Sequence, residues 1–303
     1  MAYARLCAFW LFLISFPVVA APKAPVAPTA VVDAVVMPAW LERGGRSDAL
    51  APGAEVREGD RIRTGAGARV YVRLIEGSTV KLGENAKFGF AAQEEIDKTL
   101  FTAAYEVLAG AFRYTTAKLK RDDYVRDVKI KLATSTIGIR GTDVWGKNEP
   151  DKVLVILIEG NILVSHDSGE TTPMAGERAT FVAPRGAKPL PLSRSSEEDL
   201  AKRARETEIE AGDGAVRVVT KVKGKGKTKE GKVRLGTGLN QEQALYLRDV
   251  ANHHGYAVTI KPRRGDAGDW TFDVLLSGFA DGGEARVAKE HLPEKLRAAA
   301  VVL

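Results

Sequence analysis

The chain has 303 residues, 45% hydrophobic and 28% charged, and its 45 Lys and Arg against 39 Asp and Glu leave a formal charge of +6. That excess is modest but unevenly spread, which points to a local anionic partner rather than a globally basic protein. Cys7 is the sole cysteine and falls within the signal peptide expected below, so no disulfide framework, thiolate metal site or cysteine nucleophile is expected in the mature chain.

Residues 1–20 read as a secretory signal peptide. Arg5 supplies the positive start, Leu6 to Val19 form an apolar run interrupted by Pro17, and the small residues Val18 and Ala20 suit cleavage after Ala20. A permanent bilayer helix needs roughly 20 unbroken apolar residues, and no later segment offers them. Export to the periplasm is expected, with the loss of Arg5 lowering the charge by one, from +6 to +5. Residues 21–30 begin with the Pro/Ala spacer APKAPVAP, which favours extended polyproline-like chain.

Residues 31–192 show short strands separated by glycine turns. Val70, Val72 and Leu74 alternate with Tyr71 and Arg73, Gly77-Ser78 turns the chain, and Val80 and Leu82 alternate with Lys81. The rhythm returns in Val128, Ile130 and Leu132 against Lys129 and Lys131. Val153 to Ile158 is a continuous apolar run, as expected for a strand covered on both faces, and Glu159-Gly160-Asn161 turns it into Ile162-Leu163-Val164. Strands at this spacing predict a mainly β sandwich, roll or solenoid, with no dominant helix.

Residues 193–231 change character. Ser195 or Ser196 can cap a helix whose first turn holds Glu197 and Glu198, and the charge mix that follows predicts a solvated connector. Lys221, Lys223, Lys225, Lys227 and Lys229 then alternate with small or polar residues and Val222, giving a basic linker or an exposed β-ribbon. If extended, the lysines present an ammonium group at every second residue, a candidate contact for phosphate-bearing lipid or carboxylated cell wall.

Residues 232–303 read strand, helix, strand, strand, helix, strand, a small α+β domain. Gln241 to His253 places Ala244, Leu247 and Ala251 on one stripe, widened by Leu245 and Val250, and Gly255 stops the helix. Tyr256 to Ile260 alternates, Pro262 to Asp269 is expected to be a loop, and Trp270 to Leu276 alternates again. A second helix is predicted over Glu284 to Leu292, with Ala298 to Leu303 closing the sheet.

Four motifs in order carry a family resemblance: Gly59 to Gly65 (GDRIRTG), Glu76 to Leu82 (EGSTVKL), the strand Glu106 to Arg113 with its Ala109-Gly110-Ala111-Phe112, and Ile139 to Thr142 (IRGT). They resemble the FecR domain, an extracytoplasmic β module, over roughly half of the chain. The best-known members are transmembrane regulators that sense an outer-membrane receptor and control a sigma factor. Only their periplasmic part is implied, because neither a cytoplasmic domain nor a membrane helix is expected. Phe272 to Leu292 (FDVLLSGFADGGEARVAKEHL), with an earlier copy at Arg234 to Leu247 (RLGTGLNQEQALYL), resembles a SPOR domain, which binds peptidoglycan. Ser277 and Gly278 stand where that family has Gly-Pro, and Gly238 occupies its first aromatic position. The resemblance implies glycan contacts at Arg234, Gln241, Trp270, Phe272 and Asp273.

Other candidates favour structural roles. Asp60 and Thr64, like Arg140, Thr142 and Asp143, fit side chains that serve nearby backbone. His166, Asp167 and Ser168 are consecutive and are not expected to place a base against a nucleophile with a third group behind it. His253 and His254 lack the i, i+4 spacing of helical zinc ligands, and His291 has no ligand-spaced partner. Trp270 and Phe272 share a strand face that either stacks on sugars or fills the core, with core favoured for at least one. The sequence therefore predicts a non-enzymatic periplasmic envelope-binding protein without cofactor or metal. Its expected partners are peptidoglycan glycan strands and an envelope protein, not nucleic acid; the alternative is an extracytoplasmic signalling regulator acting through a separate membrane protein.

Overall fold

The structure is a computed structural model that describes residues 27–95, 100–117, 125–210, 213–217, 231–265, 268–279 and 281–303. The predicted signal peptide and the lysine row from Lys221 to Lys229 lie outside the described residues. No helix among the described residues is long and apolar enough to cross a membrane.

The chain is mainly β. It opens with β1 (Ala30–Val36), β2 (Ala39–Arg43), β3 (Arg46–Ala49), β4 (Glu55–Val56), β5 (Arg61–Thr64), β6 (Arg69–Leu74), β7 (Thr79–Leu82) and β8 (Lys87–Glu95). The long strand β9 (Leu100–Thr115) leads to β10 (Val125–Lys131), β11 (Ser135–Ile139), β12 (Asp143–Asn148) and β13 (Lys152–Glu159). Then come β14 (Asn161–His166), β15 (Thr171–Ala175), β16 (Ala179–Pro184), β17 (Ser193–Arg194), α1 (Glu197–Arg205) and β18 (Val216–Arg217).

These strands form two layers that share β9. In the first layer β1, with β4 and β18 on its outer side, is followed by β6, β7, the second half of β9, β12, β13, β16 and β17. In the second, β3, β2, β5, β8, the first half of β9, β10, β11, β14 and β15 lie side by side, with only β9 and β10 parallel. Of the sandwich, roll or solenoid expected from sequence, this is the two-layer solution. Between the layers lies a core rich in aromatic rings, in which buried Phe88 meets the buried rings of Phe90, Tyr105 and Phe112.

Alternation along β9 breaks once. Phe101, Ala103, Tyr105 and Val107 are buried in its first half, Phe112 and Tyr114 in its second. The β8 register skips Leu108, between Val107 and Ala109; two residues on, Gly110 has a φ of +78°, and a Cβ there would sit 2.5 Å from the Ala86 Cα. Only glycine meets both conditions, and the bulge at Leu108 just before it lets one strand serve two layers.

A second domain follows, made of β19 (Gly231–Leu239), α2 (Gln241–His253), β20 (Val258–Arg264), β21 (Trp270–Phe279), α3 (Gly282–Glu290), α4 (Glu294–Arg297) and β22 (Val301–Val302). The predicted element order is present, with α4 added. Its antiparallel sheet runs β20-β21-β19-β22, the split βαβ arrangement. Two strand-to-helix units repeat: β19 into α2 capped by Asn240, and β21 into α3 capped by Asp281.

Two expectations for this domain need correction. Pro262 is not in a loop, because β20 continues to Arg264 with Pro262 opposite Phe272; β20 is an edge strand, where a missing N–H is tolerated. Nor does burial along β21 alternate, since Phe272 to Leu276 are all buried.

Candidate functional site

The polar residues of the Gly59–Gly65 motif are used by the fold. Asp60, 2% exposed, accepts from Arg43 at 2.8 and 2.6 Å and from the Arg57 amide at 2.7 Å. Thr64 donates to the Gly83 carbonyl at 2.7 Å and accepts from the Ala86 amide at 2.8 Å. Asp143 likewise takes a two-pronged bond from Arg113 at 2.9 and 2.7 Å, which, opposed by burial, raises the Arg113 pKa further above its ordinary value.

Arg113 also belongs to the outer face of the first layer, where the predicted solvated connector proves to be a strap. Trp145, Ala111, Leu154 and Ile156 form an apolar cluster outside the main core, with Leu200 of α1 packed against it. The Arg203 guanidinium carbon stands 5.6 Å from the Trp145 ring centroid, a cation–π contact. Beyond α1, Glu206 pairs with Lys147 at 2.8 Å. Glu208 accepts from Lys81 and Tyr71, each at 2.7 Å, and from Arg113 at 3.0 Å. Burial works against the Glu208 carboxylate, but the bonds from Lys81 and Tyr71 hold its pKa below the usual glutamate range.

The outer face of the second layer has no such cover among the described residues. A concavity of about 670 Å³ lies over β10, β11 and β14. Its lining is a grid of side chains: Lys129 and Leu163 stand on either side of Gly138 through the strand registers, with Thr136 and Arg140 before and after it along the chain. Gly138 is a strand-interior glycine, a signal visible in TSTIGI that sequence reasoning passed over. Glu208 carried no comparable signal.

In the second domain the five predicted glycan residues do not form one surface. Phe272 is fully buried in the core, which is the core side of the expectation for Trp270 and Phe272. Gln241 is buried and turned toward the first domain, where its side-chain amide bonds both the N–H and the carbonyl of Ala39 at 2.9 and 2.8 Å. Trp270 lines a cleft between the domains with Leu41, Arg43 and Arg57. Only Arg234 and Asp273 share the sheet face opposite the helices, alongside Lys261 and Arg263. Asp273 accepts from Thr237 at 2.5 Å and from Arg263 at 2.7 Å. These bonds outweigh its burial and lower its pKa.

The histidines form no metal site: no group of three His, Cys, Asp or Glu able to hold a metal ion occurs among the described residues. His166 departs from expectation, since the turn brings its Nδ1 to 2.9 Å from Ser168 Oγ. No carboxylate completes a triad, because His166 Nε2 is buried without a hydrogen-bond partner. His253 and His254 meet edge to face, 5.5 Å between ring centroids, at the end of α2.

These features define a mainly β protein with an added α+β domain. The FecR protein family model matches residues 60–163, so the chain carries a FecR domain there. That span runs from Asp60 into β14 and includes β9 and the grid around Gly138. Two crystal structures of a candidate anti-sigma factor from Parabacteroides distasonis ATCC 8503, at 1.65 and 2.50 Å, are similar at 10% identity. Each covers 70% of this chain and 97% of its own, with TM-scores of 0.38 and 0.39. Likeness at that level transfers no function. No curated protein matches the chain.

Proposed function

We propose that the protein is a non-enzymatic extracytoplasmic signalling regulator that acts by contact with a separate membrane protein. The observation that carries this reading is the FecR match over residues 60–163. Support comes also from the chemistry of its motif residues, which are consumed in ion pairs and backbone bonds and leave a surface suited to contact rather than to reaction. Photo-crosslinking of the full chain in its native envelope, with reactive groups placed along β10, β11 and β14, is expected to trap one integral membrane protein. Loss of the chain is expected to change expression of a restricted gene set. An envelope without such a crosslink, together with an unchanged transcript profile, overturns the reading.

A second reading, peptidoglycan binding by residues 231–303, is favoured by the sheet face that carries Arg234, Lys261 and Arg263 opposite the helices. Sedimentation of the full chain with purified sacculi tests it. Binding that rises when stem peptides are removed and falls with Arg234→Ala supports a glycan site, and no sedimentation with either substrate rejects it.

A further inference from the structure

Several glycines of the β domain are required by close packing, whereas two inside strands, Gly89 and Gly138, have no positive φ and only ordinary contacts. A Cβ would meet Ala86 Cα at 2.5 Å from Gly110, the Gly141 carbonyl at 2.7 Å from Gly160, and the Glu206 carbonyl at 2.6 Å from Gly83. Packing requires glycine at those positions. Gly138 is different: it lies inside β11 without a positive φ, and the nearest atom a Cβ would meet is the Leu163 carbonyl oxygen at 3.7 Å, an ordinary contact. Neither the backbone nor the packing requires glycine there, although glycine weakens a strand. What it provides is a depression in the exposed sheet face, where a ligand can approach the backbone.

The walls of that depression specify the ligand. Lys129 lies beside Gly138 on one strand and Leu163 on the other; Arg140 and Thr136 lie two residues along on either side. Lys129 and Arg140 have no ion pair or hydrogen bond among the described residues. Asp127 precedes Val128 as Arg140 follows Ile139, so the antiparallel register sets them opposite one another one step on along the ladder, yet the two form no ion pair either. A group over Gly138 therefore has two cations, a hydroxyl and a leucine as immediate neighbours, with the one acid on the diagonal. Cations unpaired in the protein and converging on an open backbone suit an anion that accepts from both.

We infer that the depression over Gly138 binds a carboxylate side chain of a partner polypeptide, held between Lys129 and Arg140 with its neighbouring apolar residue against Leu163. The inference deepens the regulatory reading and rests on it for the kind of partner.

The test is a titration of the full isotope-labelled chain with acetyl-Ala-Glu-Leu-Ala-amide and with its Gln counterpart, following amide shifts at low salt. The Glu peptide is expected to shift the amides of Lys129, Gly138, Arg140 and Leu163, with the Gln peptide about fivefold weaker or more. Lys129→Ala with Arg140→Ala is expected to lower affinity about tenfold. Gly138→Val is expected to remove binding while the melting temperature stays the same or rises, a combination that damage to the fold cannot produce. Equal affinity of the two peptides, shifts elsewhere, unchanged binding by folded Gly138→Val, or no shift at about 10 mM peptide overturns the site. So does a chito-oligosaccharide that shifts these amides when the peptide does not. The titration needs no membrane partner: its failure beside a successful crosslink rejects the site alone, and its success beside a failed crosslink rejects the regulatory reading alone.

Discussion

The β domain has two outer faces, and they solve the same problem in opposite ways. On the first layer, Trp145, Leu154 and Ile156 create an apolar outer surface that α1 and the chain after it must cover. On the second, Lys129, Thr136, Arg140 and Ser165 keep the face polar and nothing among the described residues lies over it. The difference separates a face the protein seals for its own stability from one it leaves available. The cover is itself half exposed, since α1 buries none of its own residues, and ion pairs from Glu206 and Glu208 fix the chain after it in place.

Breaking the sealed face is expected to have the largest effect. Trp145→Ala removes a fully buried ring and is expected to cost about 3 to 5 kcal/mol in urea unfolding; a loss below about 1 kcal/mol would mean that the strap does not contribute to the folded unit. Next, Arg113→Ala leaves Asp143 and Glu208 without a shared partner. The expected loss is about 1 to 3 kcal/mol, reduced from the deep-burial case because these groups keep some solvent contact.

Acid sharpens the same contrast. The folded-state pKa of Glu208 is depressed, so the unfolded chain binds protons more readily. Its stabilising contribution is complete above the unfolded glutamate pKa of about 4.3 and is lost as pH falls through the lower folded value. Unfolding curves from neutral to acid pH are expected to show this loss in the wild type and a flatter profile in Glu208→Gln. The smallest effect has the opposite sign: Gly138→Ala on the open face is expected to stabilise by about 0.5 to 1 kcal/mol, and a destabilisation would show that the strand needs this glycine after all.

Much of this contrast was legible in the chain. Continuous burial of Val153 to Leu157 matches the apolar run, since Val153, Val155 and Leu157 face the core while Leu154 and Ile156 face the outer cluster. Alternation in β10 likewise marked a strand covered on one side. The strap was not legible because its attachments are long-range ion pairs from a charged segment with no periodic apolar stripe, and Glu208 meets residues more than ninety positions away. Gln241 looked like an available polar group at a helix start, but only the docked first domain shows that its amide is taken up by Ala39. The edge position that permits Pro262 in β20 depends on strand order, which a local pattern does not contain.

The strand common to both layers has a consequence for how the domain opens. Residues of β9 pair with β8 and β10 at one end and with β7 and β12 at the other, so neither layer can detach as a subunit without breaking a strand that the other also uses. Amide hydrogens on the two sides of Gly110 are therefore expected to exchange with solvent at a common free energy equal to that of global unfolding. A carboxylate held at β10 and β11 would then slow exchange at Tyr114, in the opposite layer, as much as at Tyr105 beside it.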